Sequence, residues 1–203
     1  SPEHHRRGLA GEDHLLRAAG WPGPGVEVAV VDGDGQPVPP GTTGEVTIRG
    51  DQVCTGYWDD PEATAAAIRD GWLHTGDVGH LDDDGLLTLV DRLKDIIITG
   101  GENVASREVE ETVADHPDVA RVAGVGVPDP TWGEAVVAAV VLRPGAEASD
   151  DLADDIREAC RERLAGYKVP KRIVFTAALP QGPSGKYDKK RLRTEMTDTD
   201  ADG

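Results

Sequence analysis

The chain has 203 residues and a formal net charge of −17, with 21 Lys and Arg against 38 Asp and Glu. Leu, Ile, Val and Phe provide 44 of these residues, about 22%, which is above the ~20% level below which charged chains tend to stay disordered. The composition therefore allows one domain or two small ones, and the acidity argues against a general nucleic-acid-binding protein, whose surface has to neutralise phosphates.

The first part of the chain, residues 1–91, has the pattern of a small twisted β-barrel-like sheet with one short helix. Alternating apolar residues between Asp/Gly turns predict three strands: residues 26–31, 45–49 and 86–90. Asp60 followed by Pro61 predicts a helix start, and an Ala-rich stretch extends this helix to about Arg69. The polar residues 1–20 show only a short helical pattern.

The second part, residues 92–203, has the mixed pattern of a small α+β domain. Apolar runs predict four strands: residues 96–99, 119–127, 135–142 and 172–175. Ser106 and Ser149 have the residue type that caps helices, which predicts two helices, the second ending at Gly166. A last helix follows Asp188, and we expect the helices to cover one side of the sheet. The fold class is therefore α+β.

The charge is unevenly distributed along the chain. Residues 168–193 hold eight Lys or Arg and one acid, a local charge of +7, so the other 177 residues sum to −24. A basic segment on an acidic body is either a solvated helix face or an anion-binding site.

The two cysteines, Cys54 and Cys160, lie far apart and show no zinc-ligand spacing, which favours a reducing cytoplasm. No apolar run approaches the 18 residues of a membrane span, and no signal peptide is apparent. We expect a cytoplasmic protein, and the sequence leaves peripheral contact with a membrane open.

Generic catalytic motifs are absent from the sequence, including the GxxxxGK[ST] phosphate loop, GxGxxG after a strand, GxSxG and HExxH. Four segments stand out that the fold does not explain: residues 71–77 (GWLHTGD), 91–104 (DRLKDIIITGGENV), 127–134 (VPDPTWGE) and 183–186 (PSGK). In this order they resemble the C-terminal part of the adenylate-forming enzymes, which are acyl-CoA synthetases, luciferases and peptide-synthetase adenylation domains. The resemblance extends from Val26 to Arg193, and residues 56–64 (GYWDDPEAT) and 164–171 (LAGYKVPK) look most like fatty-acyl-CoA synthetases.

This resemblance implies a division of labour between two domains. Residues 1–91 would be the last part of a large adenylation domain, and residues 92–203 the mobile C-terminal domain. The full enzyme would activate a fatty or other carboxylic acid with ATP as acyl-AMP and transfer the acyl group to CoA. The family's phosphate loop, adenine and Mg²⁺ segment and acyl pocket lie upstream in the family, so we expect this chain alone to be inactive. It would need the missing N-terminal part of the same enzyme as its partner.

Two alternatives stay open at this stage. The chain could be a stand-alone nucleotide- or CoA-binding module without catalysis. It could also belong to a peptide-synthetase adenylation domain.

The resemblance assigns three residues near the expected domain boundary. Asp77 would accept hydrogen bonds from the ribose diol of ATP or AMP, and Arg92 would bind ribose or phosphate oxygens. Lys94 would be the hinge about which the small domain turns between two half-reactions. The plainer alternatives are a turn-closing Asp77, an Arg92 paired with Asp91 or Asp95, and an ordinary exposed Lys94.

Further residues are assigned to CoA by the same resemblance. Gly100 and Gly101 would line the pantetheine tunnel with Trp132 as a wall, although a strand break and a core tryptophan would explain them as well. Three residues would meet the nucleotide end of CoA: Tyr167, Lys168 and Lys171.

Lys186 is the predicted catalytic residue. A lysine on a Pro-Ser-Gly loop could bridge the attacking carboxylate and the α-phosphate and so offset the repulsion between two anions. The family usually has an aliphatic residue next, where this chain has Tyr187. The alternative is a flexible surface lysine.

Overall fold

The computed structural model describes residues 2–12 and 14–201 and divides into two compact units, residues 1–94 and 95–203. The division falls three residues after the boundary expected from the sequence. That the first unit ends a larger domain, and that the second moves against it, stay predictions.

The first unit is built around antiparallel strands. Its elements are α1 (Pro2–Leu9), α2 (His14–Arg17), β1 (Val26–Val31), β2 (Gly44–Gly50), α3 (Pro61–Ala67), β3 (Ile68–Arg69), β4 (Trp72–Leu81) and β5 (Leu87–Arg92). β2 pairs with β1 and with β4, and β4 also pairs with β3 near its start and with β5 near its end. The sheet is curled into a half-barrel, and its buried apolar side chains include Val30, Val46 and Val78.

The first unit differs from the sequence analysis in the end of one helix and in strands that were not predicted. Asp60 caps α3 as expected, since its carboxylate accepts a hydrogen bond from the Ala63 amide at 2.9 Å. The helix ends at Ala67 because Ile68 and Arg69 leave it to pair with β4 as β3. β4 itself was not predicted, since its sequence WLHTGDVGHL lacks apolar alternation.

The second unit has five strands and three helices in its described residues. They are β6 (Ile96–Thr99), β7 (Glu102–Ala105), α4 (Ser106–Ala114), β8 (Val119–Asp129), β9 (Gly133–Leu142), α5 (Asp150–Arg161), β10 (Arg172–Phe175) and α6 (Lys189–Ala201). β9 is antiparallel to β8 and parallel to β10, and it meets β6 at the pair Gly133 and Thr99, while β7 pairs with β6.

Helices cover both faces of this second sheet, whereas the sequence analysis expected one. Alternate residues of β9 enter two cores: Val136, Ala138 and Val140 pack with α4 and α5, and Val137 and Ala139 pack with α6. The continuous apolar run of residues 135–142 is the reason, because a strand that buries both faces has no polar side. The α+β fold class, with a barrel-like sheet and a second sheet flanked by helices, is confirmed.

The helix ends of the second unit agree only partly with the sequence predictions. Ser149 caps α5 by accepting from the Leu152 amide at 3.1 Å, and Asp188 accepts from the Arg191 amide at 3.0 Å at the start of α6. Ser106 is the first residue of α4 rather than its cap, because its hydroxyl binds the Lys189 ammonium at 2.6 Å.

The helix α5 ends at Arg161, before the predicted stop at Gly166. The chain turns there so that Leu164 enters the core. Cys160 is fully buried on the same side, and desolvation raises the pKa of its thiol.

Candidate functional site

Asp77 and Arg92 lie opposite each other on β4 and β5 and form an ion pair, with 2.7 Å between Arg92 Nε and Asp77 Oδ1. Their side chains are 29% and 52% exposed, respectively, so both can reach a ligand. The Arg92 guanidinium therefore pairs with the other predicted nucleotide-binding residue, while its backbone amide donates to the Asp91 carboxylate at 2.8 Å. A carboxylate beside a guanidinium presents acceptors and donors side by side, which suits a vicinal diol.

A bulge in β4 places the Asp77 backbone. The register between β2 and β4 shifts at residues 75–77, and Gly76 has a φ of +68°. Glu45 from β2 accepts hydrogen bonds from the Gly76 amide at 3.2 Å and lies 2.7 Å from the ring of His74. The Thr75 hydroxyl accepts from the Asp77 amide at 3.0 Å. Asp77 thus sits in a bulged strand, and not in the isolated turn that the sequence suggested.

Lys94 is exposed in a short 3₁₀ helix, Leu93–Asp95, and is the last residue of the first unit. The compact units therefore divide directly after the residue that was expected to be a hinge.

Gly100, Trp132 and Lys171 come together in the second unit. The Gly100 amide donates to the Trp132 carbonyl at 2.7 Å, and a Cβ on Gly100 would lie 3.0 Å from the Trp132 ring. Gly101 follows with a φ of +84°. Trp132 is 46% exposed, so it is not a core residue, and the Lys171 ammonium lies 5.0 Å from its ring centroid, within cation–π range.

Lys168 is differently placed from Lys171. Its ammonium binds both carboxylate oxygens of Glu108, at 2.9 and 2.7 Å, and its side chain is 21% exposed. The neighbouring Tyr167 is half-exposed, and the Lys168 ammonium lies 5.9 Å from its ring centroid. An ammonium held by a carboxylate is a weaker candidate for a phosphate ligand than a free one, because the acid must first be displaced.

Lys186 lies at the end of a tight hairpin. Gln181 and Tyr187 form a bridge, the Gly182 amide donates to the Lys186 carbonyl at 2.9 Å, and Gly185 has a φ of +76°. The backbone of Lys186 is therefore fixed while its side chain is exposed. Within the described residues its ammonium has no hydrogen bond or ion pair.

The basic segment is partly neutralised by acids of the second unit. Among the described residues, its cations with carboxylate partners include Lys168 with Glu108, Lys189 with Glu110 and Arg191 with Glu195. The local charge of +7 counted along the sequence is therefore an overestimate of the free positive charge. Lys186 keeps its charge available.

Several supporting residues were missed by the sequence analysis: Glu45, His74, Glu108, Glu110 and Asp129. Asp129 had a readable signal, since an Asp before a Pro-Thr-Trp turn accepts from the amides two and three residues on, here at 2.8 and 2.9 Å. The others act on partners distant in sequence and have no local signature.

No cluster of three or more His, Cys, Asp or Glu side chains suited to a metal occurs among residues 2–12 and 14–201. Over the same part of the chain, no helix combines the length and apolar character that a membrane crossing requires.

Two stretches of the chain match family models. Residues 5–58 match the AMP-binding enzyme family, and residues 108–186 match the AMP-binding enzyme C-terminal domain.

Three known proteins illustrate the similarity. A medium/long-chain-fatty-acid–CoA ligase of Mycobacterium tuberculosis is 45% identical over 195 residues, covering 93% of this chain and 34% of that protein. The structure of the amide bond synthetase McbA from Marinactinospora thermotolerans is 48% identical, with a TM-score of 0.80 over 90% of this chain and 36% of that one. The o-succinylbenzoate CoA synthetase of Bacillus subtilis, in complex with its acyl-adenylate intermediate, is 35% identical, with a TM-score of 0.83 over 95% of this chain and 37% of that one.

The chain spans about a third of the length of these relatives. Both family models and all three relatives agree with the resemblance found in the sequence. The chain therefore belongs to the adenylate-forming, AMP-binding enzyme family and matches the C-terminal part of its members.

Proposed function

We propose that this chain is the C-terminal part of an AMP-forming acyl-CoA synthetase, and that it contributes Lys186 to the first half-reaction of that parent enzyme. The observation that carries the proposal is the exposed ammonium of Lys186, which has no ion-pair partner among the described residues, on a hairpin whose backbone is fixed. The relatives supply the reaction class, since one is a fatty-acid–CoA ligase and another holds an acyl-adenylate.

In the first half-reaction, a carboxylate oxygen of the acid attacks the α-phosphorus of ATP. The bond between the α-phosphorus and the oxygen that bridges it to the β-phosphorus breaks, and pyrophosphate leaves. A lysine ammonium between the carboxylate and the phosphate reduces the repulsion between two anions and stabilises the charge that develops on the transferring group. We assign this role to Lys186, and we assign the ribose hydroxyls to Asp77 and Arg92.

In the second half-reaction, the CoA sulfur attacks the acyl carbon of acyl-AMP. The carbon–oxygen bond to AMP breaks, and the thiol proton is lost to solvent. We assign the pantetheine arm to the surface of Gly100, Gly101 and Trp132, where the lack of Cβ atoms allows a close approach. Lys171 is the better placed cation for the nucleotide end of CoA, with Tyr167 and Lys168 as further candidates, because the Lys168 ammonium is held by Glu108.

Lys94 is assigned as the hinge between the two half-reactions, in agreement with its place at the division between the units. We expect Mg²⁺ to be held by the family segment that lies upstream of the part matched by this chain, as the resemblance implies. A cytoplasmic location stays a prediction.

The assignment of Lys186 is tested by replacing it in the parent enzyme. Lys186→Ala should lower the rate of ATP–pyrophosphate exchange by about 100- to 1,000-fold, since one preorganised charge at the transition state is lost. Thioester formation from supplied acyl-AMP should be largely intact. Lys190→Ala, an exposed lysine four residues on, is the matched control. Equal loss in both half-reactions would remove Lys186 from this role.

The 203-residue chain is expected to show no ATP–pyrophosphate exchange with any carboxylic acid, because it spans only about a third of its relatives. Detectable exchange would contradict its assignment as part of a larger catalytic unit. Absence of exchange in the parent enzyme would instead favour the non-catalytic nucleotide- or CoA-binding module.

A second candidate concerns the acceptor of the acyl group. The similarity to an amide bond synthetase at 48% identity favours an amine as an alternative to CoA, with the same adenylation step. Supplying acyl-AMP with CoA or with an amine, and identifying the product by mass, distinguishes a thioester from an amide. The same product analysis with a carrier protein tests the peptide-synthetase alternative.

A further inference from the structure

A second lysine, Lys189, is placed three residues after Lys186 and has the opposite environment. Its side chain is 18% exposed, and its ammonium lies 2.7 Å from Glu110 Oε1 and 2.6 Å from the Ser106 hydroxyl. Both partners belong to α4, whereas Lys189 opens α6. The contact therefore ties the start of α6 to a helix more than 70 positions earlier in the chain.

Glu110 links this contact to the sheet. The same carboxylate oxygen accepts a hydrogen bond from the Gly124 amide of β8 at 2.7 Å, and the Glu110 side chain is 22% exposed. A mostly buried ammonium with a carboxylate and a hydroxyl is well satisfied, whereas losing one member leaves the other charge without its partner. Lys189 is thus held on α4 and, through Glu110, connected to β8.

The hairpin of Lys186 is continuous with this anchored residue. The Asp188 amide donates to the Pro180 carbonyl at 2.8 Å, closing the base of the hairpin, and the Gly185 amide donates to the Gly182 carbonyl at 2.9 Å. Only residues 187 and 188 separate Lys186 from Lys189. The anchored residue therefore adjoins the hydrogen bond that closes the base of the hairpin.

We propose that Lys189 is a positioning residue for Lys186: its ion pair with Glu110 holds the hairpin base on α4 and so sets the position from which the Lys186 ammonium reaches the reacting groups. This inference rests on the proposed function, in which Lys186 acts in adenylation. Lys189 touches no substrate in this proposal, and its effect is exerted through the backbone.

The test uses the parent enzyme with three substitutions. Lys189→Met keeps the length of the side chain and removes its charge, Lys189→Arg keeps the charge, and Lys190→Met is the matched control on an exposed neighbour. Lys189→Met should lower kcat for ATP–pyrophosphate exchange by about tenfold to a hundredfold, because small misplacement of a reacting group has effects of this size. KM for ATP and thioester formation from supplied acyl-AMP should be unchanged, and Lys189→Arg should restore most of kcat.

The inference would be overturned if Lys189→Met catalysed ATP–pyrophosphate exchange at the wild-type rate under conditions where Lys186→Ala is defective. Equal loss in both half-reactions, or a failure of Lys189→Arg to restore activity, would overturn it as well. If Lys189→Met does not fold, Glu110→Gln replaces it, since glutamine keeps an acceptor for the Gly124 amide. Glu110→Gln must then lower kcat for exchange alone, and wild-type kcat in this variant refutes the inference.

A separate measurement on the 203-residue chain distinguishes this inference from the proposed function. In Lys189→Met, hydrogen exchange at the amides of Gly182, Gly185 and Asp188 should be faster by about tenfold or more, while amides of α5 keep their protection. Unchanged exchange at the hairpin refutes the anchoring. If the wild-type parent enzyme does not catalyse ATP–pyrophosphate exchange, the proposed function is refuted instead. The hydrogen-exchange rates of the hairpin amides would still show whether Lys189 anchors the hairpin.

Discussion

Gly76 is the residue on which the placement of Asp77 depends most directly. Its φ of +68° lies in the left-handed region, where a residue with a Cβ is strained. Here β4 leaves its regular pairing with β2, and Asp77 then pairs with Arg92 on β5. The Glu45 carboxylate holds the bulge by accepting from the Gly76 amide. The geometry of the predicted ribose-binding pair therefore rests on one backbone conformation.

We expect Gly76→Ala to lower the free energy of unfolding of the first unit by about 1–2 kcal/mol, the cost of a left-handed alanine. A methyl group at Gly76 would meet no atom within 4 Å, so the effect comes from the backbone alone. Urea unfolding followed by tryptophan fluorescence measures it, since three of the four tryptophans are in this unit: Trp21, Trp58 and Trp72. Gly33→Ala, at an open position without positive φ, is the control. Equal effects of the two substitutions would contradict the strain argument.

At the scale of elements, α5 shows how the second unit buries its helices. Ile156 and Cys160 lie one turn apart on α5, are fully buried, and pack in the same core as Val109 and Val113 of α4. The periodicity of this helix was readable in the sequence, because its apolar residues repeat at helical spacing on an otherwise charged surface. Its end was misread because Leu164 joins the core from a turn.

Ile156→Ala should lower the free energy of unfolding of the second unit by about 2–5 kcal/mol, since it removes buried methyl groups and leaves a cavity. Ile98→Ala is a matched control within the same unit, because the Ile98 side chain is 56% exposed, and we expect a loss of about 1 kcal/mol or less. The measurement is urea unfolding followed by far-UV circular dichroism. Similar losses for both substitutions would be inconsistent with the burial described here.

Strands without apolar alternation were the elements that sequence patterns failed to predict. β7 carries the sequence ENVA, with its two polar residues exposed and Val104 and Ala105 buried. β3 has only two residues, and it exists because β4 offers an unpaired edge at residues 72 and 73. Such strands are stabilised by their neighbours rather than by their own composition, which is why local patterns do not reveal them.

At the scale of the whole chain, the cores are segregated by unit. All residues of the two hydrophobic clusters, from Ile97 to Met196, lie in the second unit. The buried apolar residues of the half-barrel sheet, such as Val46 and Val78, lie in the first.

We expect residues 95–203 to fold as a separate polypeptide, because both of their hydrophobic clusters are complete within this range. Hydrogen exchange at the amides of β8, β9 and α5 should match that of the same amides in the 203-residue chain. The amides of β8 and β9 are the most informative for this comparison, because buried amides exchange through global rather than local opening. Loss of this protection in the shorter polypeptide would show that the second unit needs the first.

The family and most helices and strands were accessible from the sequence, because motifs and apolar periodicity are local properties of a chain. Which charged side chains are paired in the folded chain was not accessible from the sequence. The motif singles out Lys186, but as charges along the sequence Lys168, Lys186 and Lys189 count equally in one basic segment. In the folded chain, Lys168 meets Glu108, 60 residues away, and Lys189 meets Ser106, 83 residues away, while Lys186 is left exposed. Pairing between distant residues depends on how β8, α4 and α6 pack, so the fold separates the available lysine from those that hold the structure together.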